Sequence, residues 1–123
     1  VEKYWYAATV ERIIDGDTVD VNLSLGFDVS VKQRLRLYGI NAPETHGVKK
    51  TSDEYQRGMA ATEFLEEMIG NKEVLVHTHK DETGKFGRYL AEIYVVNRLG
   101  GRVDINKAMI NNGYAVEYYG GKR

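Results

Sequence analysis

Two aspartates flank a glycine in Asp15-Gly16-Asp17-Thr18, and the pair carries two readings. Asp-Gly is a frequent dipeptide of β-hairpin turns. Two adjacent carboxylates are also what a hard divalent cation takes, since calcium and magnesium are held by oxygen. A second segment, Arg36-Leu37-Tyr38-Gly39-Ile40-Asn41-Ala42-Pro43-Glu44-Thr45, sets an arginine ahead of an amide oxygen and a glutamate that follows the chain's only proline. An arginine at a strand end can fork onto a phosphate, and a loop glutamate stiffened by a preceding proline can hold a water. A third segment, Gly84-Lys85-Phe86-Gly87-Arg88, returns a second arginine after a glycine turn. Taken singly, each of these residues also reads as a solvated arginine or a loop acid.

The elements that must position them follow from periodicity. Tyr4 to Ile14 is rich in aromatic and β-branched residues, and Val19, Val21, Leu23 and Leu25 alternate with polar neighbours. From Val29 to Ile40, Val31, Leu35 and Leu37 share one face while Lys32, Arg34 and Arg36 share the other. These runs predict three strands, with Asp15-Gly16-Asp17 as a turn between the first two. Thr51 and Glu54 have the spacing of a capping box, and Ala61, Phe64, Leu65 and Met68 form the buried stripe of a helix that stops at Gly70-Asn71. Strands over Glu73 to His79 and Phe86 to Val96 flank a polar turn at residues 81–84. A short helix after Asp104 turns Ile105, Ala108 and Met109 inward and is capped by Asn112-Gly113. Five short strands with a helix after the third predict an α+β OB-fold, a five-stranded Greek-key β-barrel whose closure removes free edges.

The 123 residues suit one domain spanning 1–123. No apolar run approaches the roughly 20 residues of a membrane helix, and no signal peptide is read at Val1. With no cysteine, thiolate metal sites, disulfides and a cysteine nucleophile are excluded. A net charge of −1 argues only weakly against a large basic coat for nucleic acid. Any positive region has to be gathered by folding from residues such as Lys32, Arg34, Arg36, Lys49, Lys50, Arg88, Lys122 and Arg123.

In their residues, order and intervening helix, the three segments resemble the staphylococcal nuclease (thermonuclease, SNase-like) family, over about Tyr6 to Tyr119. The resemblance implies a calcium-dependent nuclease that cuts DNA, RNA or both at the bond to the 5′ oxygen, leaving 3′-phosphates. By that resemblance Asp17 is the principal calcium ligand, Asn41 and the backbone carbonyl of Ala42 complete the protein's share, and Asp15 stands behind them. Glu44 falls on the general base for water, and Arg36 and Arg88 on the pair that clamps the phosphate. Lys85 and Tyr119 fall near the bound substrate. The resemblance also implies a monomer and favours a secreted setting. Such chemistry is consistent physically, because charge that grows on phosphoryl oxygens must be met in the transition state.

Four departures stand out. Asn41 occupies the place of an aspartate, and Ala42 that of a threonine. The connection from Asp17 to Arg36 is longer than in the founding enzyme, and the chain stops at Arg123, ahead of that enzyme's last helix. The loss of a carboxylate at Asn41 predicts weaker metal binding and keeps a rival open: an OB module that binds nucleic acid or protein and has lost catalysis. Two further features have bland readings. His77 and His79 share a strand face, the minimum for a histidine metal pair, but with His46 as the only other histidine the better account is a solvated face. Tyr114 is expected to pack on the barrel, and Tyr119 to face substrate.

Overall fold

The computed structural model describes residues 4–83 and 89–119, the side chains of residues 80–83 excepted. Alternation of β-branched and polar residues produces the first three strands, β1 (Trp5–Asp15), β2 (Thr18–Gly26) and β3 (Val29–Leu37). They pair antiparallel through two tight turns. The second turn holds Phe27 and Asp28 at φ of 56° and 61°, the left-handed geometry that matches the twist of a two-residue hairpin. A two-residue strand, β4 (Ile40–Asn41), precedes helix α1 (Asp53–Ile69). Then come β5 (Glu73–Thr83), β6 (Tyr89–Val96), β7 (Arg102–Asp104), helix α2 (Ile105–Asn111) and β8 (Val116–Glu117).

Closure has two parts. β1 pairs with β5 on its free side, and β3 pairs in parallel with β6 from Leu35↔Tyr89 to Leu37↔Ala91. The circuit β3-β2-β1-β5-β6 thereby returns to β3, a closed five-stranded mixed barrel with two helices. This is the OB-type architecture expected from the sequence. Inward residues of alternating strand positions fill it, among them Val10, Val19, Val21, Leu35, Leu37, Val76 and Ile93. Ala61, Leu65 and Ile69 of α1 and Ile105 and Met109 of α2 join the same core.

Several local expectations are revised. The N-cap of α1 is Ser52 rather than Thr51, its hydroxyl accepting from Tyr55 N–H at 3.1 Å. The capping-box glutamate, Glu54, is spent elsewhere: its carboxylate accepts the backbone N–H of Glu44. Residues 81–83 continue β5 instead of turning, and β6 is described from Tyr89. In α2 the inward polar residue is Asn106, while Ala108 is only half-buried. Asn106 is tolerated at 4% exposure because it donates to the carbonyls of Tyr38 and Ala91 and accepts from Ile93 N–H. It thus ties α2 to β6 and to the turn after β3. The cap at Asn112 and Gly113, with Gly113 at φ 79°, is as expected.

Candidate functional site

The turn between β1 and β2 is built to hold its two carboxylates still. Asp17 N–H donates to Asp15 Oδ1 at 3.1 Å, and Thr18 Oγ1 donates to Asp17 Oδ1 at 3.1 Å. Register places Thr18 opposite Arg36, and Leu37 N–H reaches back to the Asp17 carbonyl at 2.8 Å. The acidic turn is therefore carried directly to the end of β3.

Arg36 lies at that end with its guanidinium turned into the fold and 7% of the residue exposed. Its Nη1 donates to the carbonyls of Leu37 at 3.1 Å and Ile40 at 2.9 Å, and stands 3.4 Å from Asp17 Oδ2. Its Nη2 donates to Asn41 Oδ1 at 3.3 Å. Asp17 Oδ2 also accepts the Ala42 backbone N–H at 2.9 Å. One guanidinium and one carboxylate so organise the return of the chain through β4. The sequence placed Arg36 on the polar face of β3, and it stays there. The Ile40–Ala42 return covers it, which strand periodicity alone does not show.

The electrostatics are unbalanced toward negative charge. Burial pushes the Asp15 carboxyl up to about 7, helped by its hydrogen bond to Asp17, the Asp17 charge and the Glu44 charge. Asp15, Asp17 and the Asn41 amide offer hard oxygens, the donor chemistry of calcium or magnesium, with the Asn41 oxygen accepting from Arg36. Among the described residues no three His, Asp or Glu side chains gather to hold a metal ion. The amide N–H of Ala42 is what meets Asp17.

Of the other expected site residues, Glu44 is half-buried and its backbone N–H donates to Glu54 Oε2 at 3.2 Å. Lys85 and Arg88 lie outside the described residues. Tyr119 is 68% exposed, edge-on to Tyr38 at 5.5 Å. It lies over Gly39, where a Cβ would stand 3.0 Å from its ring. Tyr114 packs as expected, stacked on Phe64 at 4.4 Å.

The histidine pair is not a solvated face. His77 lies flat on Trp5 at 4.4 Å, and His79 on Tyr38 at 3.7 Å. Glu92 stands between them, with Oε1 3.2 Å from His77 Nδ1 and Oε2 3.6 Å from His79 Nε2. Burial works to raise the Glu92 carboxyl, but its bonds to His77 and Tyr94 and the nearby imidazoles outweigh that and lower it. Tyr94, donating to Glu92 at 3.0 Å, is pushed up to about 12 by burial and by that bond. Period-two alternation puts both histidines on one face but says nothing of the rings that β1 and the turn after β3 lay over them.

A family described as staphylococcal nuclease homologue matches residues 34–123. A thermonuclease of Staphylococcus hyicus is 30% identical over 106 residues, covering 86% of this chain and 56% of its own. A protein of Escherichia coli called ParB is 34% identical over 115 residues, 89% of this chain and 55% of its own. The chain spans about half the length of these curated relatives.

Proposed function

From the premise that this chain belongs to the staphylococcal nuclease family, we propose that it is a calcium-dependent nuclease hydrolysing phosphodiester bonds of DNA or RNA to leave 3′-phosphate ends. The observation that carries the proposal is the meeting of buried Asp17 and Arg36 with the half-buried Asn41 and the Ala42 amide beside Asp15. A simple hairpin turn has no need of such an assembly.

In this reading Asp17 and Asn41 hold the cation, with the Ala42 carbonyl beside them and Asp15 supporting from behind. Bound calcium supplies Lewis-acid polarisation of a phosphoryl oxygen. Arg36, held in place by the Leu37 and Ile40 carbonyls, acts with Arg88 to meet charge that grows on the phosphate. Glu44 orients a water and takes its proton for in-line attack. Lys85 and Tyr119 contact the substrate, and the protein works as a monomer.

One observation favours a second reading. Asn41 brings no charge to the site and its oxygen is engaged by Arg36, as suits a nucleic-acid-binding or protein-binding module that has lost catalysis. Digestion of single-stranded DNA, duplex DNA and RNA, with calcium and with excess chelator, separates the two. Cleavage with calcium alone, yielding 3′-phosphate ends by end-group labelling, is the expected result. Full activity in chelator would remove the metal from the mechanism. Retention of nucleic acid without cleavage in any condition would favour the binding module.

A further inference from the structure

Glu54 and Gly58 lie one turn apart on α1, so both face the same neighbour. That neighbour is the loop bearing Glu44. The Glu54 carboxylate accepts the Glu44 N–H at 3.2 Å. A Cβ on Gly58 would stand 2.7 Å from the Pro43 carbonyl oxygen, 2.7 Å from Thr45 Cγ2 and 2.9 Å from the Glu44 carbonyl oxygen. Two of these three atoms are backbone, so no rotamer change relieves the overlap and the loop itself has to move. Glycine is a poor residue for a helix interior, so the helix gains nothing from it; the loop's close approach is what requires it.

The same stripe seats the acidic turn. Ala61 lies on this face, and a Cβ on Gly16 would stand 2.8 Å from both Ala61 Cβ and Ala42 Cβ. Thus α1 is the common floor on which the Asp15–Asp17 turn and the Glu44 loop rest side by side.

We infer that Gly58 and Glu54 are positioning residues, which set where Glu44 stands relative to the acidic turn. The inference rests on the reading of Glu44 as the base, and its placement part can be measured without that reading. Gly58→Ala is expected to fold with a modestly lowered melting temperature, because displacing the loop backbone more than offsets the gain that alanine brings to the helix. A shift of about 1 Å at a reacting group can cost about 10²-fold in rate.

The test measures kcat and KM on a single-stranded oligonucleotide with calcium, together with the Glu44 backbone amide by NMR and hydrogen exchange. The parent is compared with Gly58→Ala, Glu54→Ala, Glu54→Gln, Glu44→Gln and the Gly58→Ala/Glu44→Gln double variant. We expect kcat of Gly58→Ala to fall about 10²-fold at nearly constant KM, with a shifted, faster-exchanging Glu44 amide. Glu54→Gln, which keeps an acceptor, should fall between Glu54→Ala and the parent. Adding Gly58→Ala to Glu44→Gln should cost little more. Parental kcat with an unmoved Glu44 amide in both Gly58→Ala and Glu54→Ala overturns the inference, as does a full additional loss in the double variant. If the parent itself cleaves nothing with calcium, the catalytic reading of Glu44 falls. The amide then decides placement alone: a shift in either variant supports it and none overturns it.

Discussion

Arg36 Nη1 stands 3.4 Å from Asp17 Oδ2, with only 9% and 5% of the two side chains exposed. Removing either member of such a pair leaves the other charge buried and uncompensated. Arg36→Met is therefore expected to destabilise the fold by about 3 to 5 kcal/mol. Arg36→Lys retains charge but cannot serve the carbonyls of Leu37 and Ile40 and the Asn41 amide at once. It should cost about 2 kcal/mol and about 10²-fold in rate. Urea denaturation and turnover of the folded variant measure the two; a lysine variant as stable and active as the parent would show that neither contact matters.

Asn41→Asp should bind calcium about tenfold more tightly, a modest 1.4 kcal/mol for one charge added near a dication. The new carboxylate would also meet Arg36 Nη2, which already reaches the amide oxygen, so part of its attraction is spent inside the protein. The maximal rate need not rise, since a better-neutralised cation is a weaker Lewis acid. Calorimetric titration of both proteins checks this, and equal or weaker binding removes Asn41 from the metal shell.

Asp15 makes metal-free stability depend on pH. Its carboxyl, held at about 7 against an ordinary 3.8, binds a proton more readily in the folded chain than in the unfolded one. Stability without metal should then fall as pH rises from 3.8 through about 7. Asp15→Asn should flatten that slope and stabilise the metal-free protein at pH 8 by on the order of 1 kcal/mol, one pKa unit being worth about 1.4. Denaturation midpoints at pH 5 and pH 8 in chelator report the effect. A parent curve that rises over this range contradicts it.

Glu92 has the opposite sign. Its carboxyl lies below the ordinary 4.5, so its contribution is present above that value and is lost as pH falls through the lower folded one. With its side chain 29% exposed, Glu92→Gln should cost no more than about 1 kcal/mol and leave the hydrolysis rate unchanged. A large rate loss in this variant would tie the histidine face to the chemistry.

Much of the site was legible because it depends on local rules. Strand alternation put Arg36 and the Asp15–Asp17 turn at matching ends of paired strands, and the Thr18↔Arg36 register completes what the alternation implies. The remainder depends on where separate elements meet. Glu54 reads as half of a capping box because its spacing from Thr51 suits one; only the packing of the Glu44 loop shows that its carboxylate is engaged there. Gly58 lies outside the expected stripe of Ala61, Phe64, Leu65 and Met68, and only the loop packed against it shows what it does. Asn106 is missing from the inward set of Ile105, Ala108 and Met109 because its three partners lie on β6 and the turn after β3. Strands β4 and β8, two residues each, are too short for alternation to register.

The parallel seam between β3 and β6 governs the order in which the molecule can be assembled. Leu35 finds Tyr89 only after α1 and β5 have been made, whereas β1, β2 and β3 can join through adjacent hairpins as soon as they emerge. During synthesis the far edge of β3 therefore stands bare at Leu35–Leu37, offering unpaired backbone groups to any neighbouring strand. Sealing this edge requires a contact between residues distant in sequence, the kind that slows folding. Slow translation or destabilised β6 should thus appear first as association of nascent chains, before any loss at the acidic turn.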